Sequence, residues 1–408
     1  MKPDSANRLV WLAACLIAAF TFVVYLMTGT VAGGADAPVM PLDDVYIHFQ
    51  YARQMASGQP YVYNPGLPPT SGATSLIYPF VLASGYLLGF HDLRLGIWAM
   101  IVGAVAFAVS IALVYRISRI YAGAAISMLA ALAFGLSGAF AWHAMSGMET
   151  MLAVCFSLAL LYGLTARRLG WLVVGGALLA ITRPEGAVGA LLASLIILGT
   201  TETRRTQREF HPLFSVLSAS LWFKLVFAAI PLLAIAAQPL LNLLITGSAT
   251  AAGSQAKSLF SAALSMQDII AHIVDNFLHM WREWLLPQDE PVYLNLIITG
   301  LAVLGVLRMG SSVGFSSRSQ RSASRLLTIV LSPQVLIVLW LIGGALLIST
   351  LDTAFWHFKR YQMPFMVLLF PLAAWGAGWI AGKFAGRGAE DGRVETGRAT
   401  TRPYAIVA

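Results

Sequence analysis

Charge is scarce in this sequence: 26 lysines and arginines and 18 aspartates and glutamates make up 11% of 408 residues. A soluble domain ordinarily carries about a quarter of its residues charged, so a soluble reading is excluded. Cysteine is scarcer still. Cys15 and Cys155 each lie inside an apolar run, so no disulfide framework is expected. Internal repeats are missing, which argues against a transporter built from repeated halves. What the chain has instead is apolar surface: 58% of its residues are hydrophobic and its mean hydropathy is +0.75. These values describe a polytopic membrane protein. The net charge of +8 would suit a nucleic-acid partner, but its distribution follows membrane topology, so no nucleic acid is expected.

Apolar runs of span or near-span length cover residues 9–29, 95–115, 121–141, 150–166, 169–182, 186–200, 220–246, 291–308, 329–350 and 363–382. They predict an all-α fold with about ten transmembrane helices in a single domain over 1–382. Residues 76–90 are also apolar, but Pro79, Ser84 and Gly85 interrupt them; they read as a surface or re-entrant helix within an outer loop at 30–94. A second outer loop is expected at 247–290. With the N-terminus in the cytoplasm, 19 of the 26 basic residues fall on the cytoplasmic side. Only Arg53, Arg94, Arg183, Lys257, Arg282, Lys359 and Arg360 lie outside, and this bias sets the orientation. Ala35-Asp36-Ala37 imitates a signal cleavage site, yet the apolar run before it, about twenty residues, is too long for a typical signal peptide, and a retained anchor is expected. The segments 308–326 and 383–408, rich in Gly, Ser and Arg, read as a flexible cytoplasmic loop and tail. The expected location is the cell membrane, multi-pass, with both termini cytoplasmic.

Against this background the polar residues stand out, first of all Asp43-Asp44 immediately after the first span. A carboxylate pair beside the bilayer costs desolvation and marks a catalytic or ion-binding centre. The predicted topology puts Asp43 and Asp44, Ser146 to Glu149, Arg183 to Glu185, Lys257, and His357 to Tyr361 on the same outer side, although no acidic residue entered that assignment. Each also has a plainer role. The Asp pair could cap a helix starting at Val45, Glu149 could favour the start of the 150–166 helix, Arg183 and Arg360 could reach lipid headgroups, and Lys257 could be solvated. His143 reads as an interfacial aromatic.

The run 169–182 decides between these readings. Fourteen helical residues reach roughly 21 Å, short of a hydrocarbon core of roughly 30 Å, so the chain breaks at membrane depth, at Thr182-Arg183-Pro184-Glu185-Gly186. Such a break is tolerated only in protein or beside a polar cavity. With Pro184 in its first turn, the next helix would aim its positive end into that cavity beside Arg183, a setting for phosphate. Lys359-Arg360-Tyr361 ahead of Pro364 repeats the pattern.

These residues resemble a known family. LDDVYIHFQYARQMASGQPYVYNPG followed by TSGATSLIYP is similar to the first outer loop of the GT-C glycosyltransferases, and SGMET, ITRPEG and RYQMP are similar to that family's later motifs, in the same order over residues 42–364. The motifs resemble those of polyprenyl-phosphate-sugar-dependent members such as the mycobacterial arabinofuranosyltransferases and related membrane mannosyltransferases. It implies a multi-span core, an extracytoplasmic active site and a lipid-linked sugar donor. The proline-containing segment that often precedes the family's lysine is replaced here by GSATAAGSQA ahead of Lys257.

Carried over, the resemblance makes Asp43 or Asp44 the base that takes the acceptor proton, with inversion. Arg183, Arg360, Lys257 and His357 would neutralise the departing polyprenyl phosphate. Glu149 would orient the acceptor, hold Arg183, or complete a divalent-cation site with the Asp pair; Glu185 and Tyr361 join it as orienting residues. The expected partners are the polyprenyl-phosphate sugar, a glycan, lipid or protein acceptor, and membrane lipid. The rival is a transporter or lipid-carrier flippase, which would scatter its charges through depth on both sides.

Overall fold

The computed structural model describes residues 3–33, 37–199, 216–286, 292–312, 332–352 and 360–391. Its α-helices are α1 (Pro3–Gly33), α2 (Asp44–Ala56), α3 (Tyr78–Leu87), α4 (Leu95–Ser118), α5 (Ala124–Gly135), α6 (Gly138–Met145), α7 (Thr150–Thr165), α8 (Leu169–Thr182), α9 (Ala187–Gly199), α10 (Val216–Thr246), α11 (Ala252–Lys257), α12 (Met266–Leu285), α13 (Val292–Ser312), α14 (Pro333–Ser349), α15 (Met363–Met366) and α16 (Leu369–Asp391). No strand occurs among the described residues.

By length and composition, four helical stretches can cross a membrane: Ser5–Ala32, Asp92–Ser118, Trp222–Thr246 and Met363–Phe384. The run expected as one straight span at 121–141 is instead α5 and α6, bent by 55° at Leu136-Ser137, and the pair is a fifth candidate. Gly135 and Gly138 flank the bend, where two residues of weak helix propensity let the backbone turn. The other expected runs fold as shorter apolar helices: Thr150–Thr165, Leu169–Thr182, Pro184–Gly199, Tyr293–Arg308 and Pro333–Ser349. By that measure the count of about ten spans is not reached.

The core centres on α4, which packs against α1, α5, α6, α7 and α16, and its Phe107, Ile111 and Val114 are fully enclosed. α7 and α8 pack closely because glycines face backbone: a Cβ on Gly175 would stand 2.6 Å from the Leu160 nitrogen. That seam brings the start of α7 beside the end of α8, and so Glu149 beside Arg183.

One end of this bundle is covered by the connections. The 76–90 stretch forms only α3, a helix of 10 residues, packed on α2 and α4. The Leu76 and Ile77 amides donate to the Ile181 carbonyl at 3.1 and 3.2 Å, tying the loop to the end of α8. The two expected outer loops are joined, since the Ala252 amide donates to the Ser71 carbonyl at 3.0 Å, and Gln238 Nε2 of α10 donates to the Thr74 carbonyl of the first loop at 2.9 Å. α12 lies in the second loop with Met266, Ile270, Val274 and Leu278 exposed in a row, a face suited to a bilayer surface.

Candidate functional site

The sequence around Asp44 builds a helix start. Asp43 is the N-cap of α2 and its Oδ1 accepts the Asp44 amide at 2.9 Å, so the capping role expected of the pair falls to Asp43, which is exposed. Asp44, at the first helical position, turns its carboxylate inward. Its Oδ2 accepts from Arg360 Nη2 at 2.6 Å and lies 3.6 Å from Lys257 Nζ. Lys257 ends α11 and is held by backbone, its carbonyl accepting the Asp352 amide at 2.8 Å, beside an antiparallel bridge between Ser258 and Leu351.

Arg183 occupies the break between α8 and α9. It is extended, at φ −148° and ψ 139°, as expected of a residue before proline, and Pro184 opens the following turn. Only 2% of Arg183 is accessible. Its Nε donates to Glu185, and its Nη1 to Glu149 Oε1 at 2.9 Å. Glu149 precedes α7 without capping it through its side chain, so its carboxylate serves Arg183 rather than the helix.

Tyr361 joins the two halves. Its ring contacts two guanidiniums, that of Arg183 at 4.5 Å from the centroid and that of Arg360 at 5.0 Å. Its hydroxyl accepts from Arg360 Nη2 at 3.1 Å and from Lys257 Nζ at 3.4 Å. Seven of the residues singled out from the sequence, Asp44, Glu149, Arg183, Glu185, Lys257, Arg360 and Tyr361, thus form one connected cluster, with Asp43 at its edge. His357 lies outside the described residues.

Three cations and three carboxylates leave this cluster balanced in contacts but not in hydrogen bonds. Arg360 is 3% accessible, and its Nε and Nη1 have no hydrogen-bond partner among the described residues. Open donors on a buried guanidinium cost free energy unless an anion takes them. Each open donor can take one oxygen of an anion, and the Nη1/Nη2 fork becomes available to a phosphate once Nη2 leaves Asp44.

Sequence reasoning missed His48. It stands four residues after Asp44 on the same face of α2, buried, with Nε2 3.7 Å from Glu149 Oε2 and its ring edge-on to Tyr78 at 5.4 Å. That i, i+4 spacing in DDVYIH was the available signal. Burial pushes the His48 imidazole below its ordinary value; Glu149 opposes the shift and Arg360 adds to it. Burial alone would raise the Glu149 carboxyl, but Arg183, with His48 and Arg360 behind it, holds it below its ordinary value. His143, expected at the interface, is buried at 1% accessibility. Among the described residues no group of three or more His, Cys, Asp or Glu side chains is placed to hold a metal ion.

The same fold occurs in solved structures at low identity. The archaeal oligosaccharyltransferase AglB from Archaeoglobus fulgidus, in complex with an inhibitory peptide and a dolichol-phosphate, matches with a TM-score of 0.50 and 14% identity, covering 97% of this chain and 52% of its own. The apo form of the Archaeoglobus fulgidus oligosaccharyltransferase matches at 0.50 and 13%, covering 97% and 53%. ArnT from Cupriavidus metallidurans bound to undecaprenyl phosphate matches at 0.53 and 14%, covering 92% and 63%. The chain therefore has a GT-C-like fold and spans between half and two thirds of the length of these neighbours. The likeness does not single out the arabinofuranosyltransferase branch. No family pattern and no curated protein sequence matches the chain.

Proposed function

We propose that this protein is a membrane glycosyltransferase that moves a sugar from a polyprenyl-phosphate donor to an acceptor hydroxyl, with inversion, at the extracytoplasmic face of the cell membrane. The observation that carries the reading is Arg360, buried, paired to Asp44, and with two donors unfilled among the described residues. The fold neighbours crystallised with dolichol-phosphate and undecaprenyl phosphate support a lipid phosphate as the ligand of such a fold. In this reading the bent pair and the five shorter apolar helices complete ten crossings, and both termini are cytoplasmic.

Arg360 and Lys257 take the donor phosphate, replacing contacts they now make with Asp44. Arg183, committed to Glu149 and Glu185, positions Tyr361 against these cations. As the acceptor oxygen bonds to the anomeric carbon, its proton passes to Asp43, and the bond from that carbon to the phosphate oxygen breaks with its electron pair leaving on polyprenyl phosphate. That leaving group is already a stable anion, so no general acid is required, unlike glycoside hydrolysis. Inversion places base and leaving group on opposite sides of the sugar. A carboxylate outside the Arg360 and Lys257 pairing suits the base better than one inside it, which assigns Asp43 as base and Asp44 as holder of the cations.

The test is transfer from a panel of radiolabelled polyprenyl-phosphate sugars by purified protein, with donor affinity measured for wild type and Arg360→Lys. A planar fork binds two phosphate oxygens where an ammonium binds as a point charge, so Arg360→Lys should lose roughly 1.5–3 kcal/mol of donor affinity. No transfer from any donor, together with movement of polyprenyl phosphate across vesicles, would establish the flippase instead.

A further inference from the structure

At the other end of α16 from the candidate site is a cavity of about 620 Å³ whose lining includes Tyr121, Arg308, Trp375, Trp379, Gly382 and Lys383. Its size is that of a ligand pocket, typically about 300–1,000 Å³. Lys383 follows Tyr361 by about 22 positions, roughly 33 Å at helical rise, close to the roughly 30 Å thickness of a hydrocarbon core. Arg308 and Lys383 stand at the ends of neighbouring apolar stretches, Tyr293–Arg308 and Met363–Phe384, the level at which basic residues meet lipid headgroups.

The cavity is built into the packing. α13 and α16 meet backbone to backbone where a Cβ on Gly305 would stand 2.2 Å from the Leu372 carbonyl oxygen, and one on Gly376 1.9 Å from that of Leu301. One wall is rigid: Trp375 donates to the Ile117 carbonyl at 3.0 Å and stacks edge-on with Tyr121 at 4.8 Å. Lys383 Nζ lies 3.9 Å above the Trp379 ring, and a Cβ on Gly382 would meet open space. Among the described residues the lining has two cations from two helices and no carboxylate. Beside them Leu307 and Phe384 are 66% and 68% exposed. Cations at headgroup level with exposed apolar side chains next to them fit an amphiphile better than a free anion.

We propose that this cavity binds an anionic membrane phospholipid, its phosphate between Arg308 and Lys383 and its acyl chains over Leu307 and Phe384. The site does not depend on the glycosyl-transfer reading, only on the helices crossing a bilayer. Native mass spectrometry of the full chain in detergent, with phosphatidylglycerol, phosphatidylcholine, polyprenyl phosphate and inorganic phosphate in parallel, tests it. Phosphatidylglycerol should be retained one to one and phosphatidylcholine should not. Arg308→Gln and Lys383→Gln should each weaken retention about fivefold, and together about twenty-five-fold, for roughly 1 kcal/mol per basic residue. Arg53→Gln, on an exposed residue of α2 at the opposite end, should change nothing. Gly382→Leu narrows the cavity without altering charge, should weaken retention at least fivefold, and keeps the test open if the charge variants misfold. Equal retention of phosphatidylcholine, or phosphatidylglycerol retention unchanged in the double variant and in Gly382→Leu, would overturn the proposal. Retention of polyprenyl phosphate or inorganic phosphate in its place would do so too.

Discussion

At the scale of residues, the adjacent carboxylates Asp43 and Asp44 have different surroundings, and that difference predicts different defects. Asp43→Asn should cut turnover about a hundredfold or more with donor binding kept, the usual worth of a general base. Asp44→Asn removes the carboxylate that competes with phosphate for Arg360 and Lys257, so donor should bind at least as tightly as to wild type. If Asp44→Asn loses turnover while Asp43→Asn keeps it, the two roles are exchanged. His48 and Glu149 predict an acid limit. Both are held below their ordinary values in the fold, so the folded state binds fewer protons and stability rises with pH through their range. Their contribution is complete above the unfolded values, about 6.5 for His and about 4.3 for Glu, and is lost as pH falls below them. The melting temperature in detergent should be level from pH 8 to 7 and fall below about 6.5, with His48→Gln removing the upper part of the decline. A protein that becomes more stable on acidification through this range would contradict the assignment.

At the scale of elements, the turn from α6 into α7 sets the spacing between Asp44 and Glu149. Gly147 sits there at φ +77°, and its carbonyl accepts from the Tyr78 hydroxyl at 2.6 Å. A Cβ at Gly147 would stand 2.8 Å from Met40 Sδ and 3.0 Å from Val45 Cγ1, next in sequence to Asp44. Gly147→Ala should therefore cost about 1 kcal/mol of backbone strain and push α2 away from α7, lowering turnover more than the stability loss explains. Gly123→Ala, where a Cβ meets open space, is the control: it should keep turnover and lose only the stability of exchanging a helix N-cap glycine. The existence of the apolar helices and many of their limits were legible in hydropathy, as was the break at Arg183, because the fourteen-residue run before Pro184 is too short to span. The 55° bend between α5 and α6 was not, since the residues at 135–138 permit a straight helix as well as a bent one and packing chooses.

At the scale of the whole molecule, the described residues among those predicted to share the outer face are gathered at one end of the bundle, while Arg308 and Lys383 line the other. In a chain whose Cys15 and Cys155 are replaced by Ala, Cys at exposed Ser248 should react with an impermeant thiol reagent from outside the cell. Cys at exposed Ala124 should react only after permeabilisation. The opposite pattern would invert the topology and move the candidate site to the cytoplasm.

Composition and hydropathy determined without further help that this is a helical membrane protein, because the bilayer leaves a chain of such low charge few other folds. The order of the motifs was likewise enough to single out seven residues that the structure brings together, but not His48. Tertiary structure alone decided how they are partnered. The contact between Asp44 and Arg360 spans 316 positions, and no local pattern specifies it. It also decided that Asp43 rather than Asp44 caps α2, that Glu149 holds Arg183, and that His48 belongs to the cluster. Hydropathy and turn chemistry act between near neighbours in the chain. The roles of charged groups depend on which of them burial brings within a few ångströms of each other, and that follows only from how the helices pack.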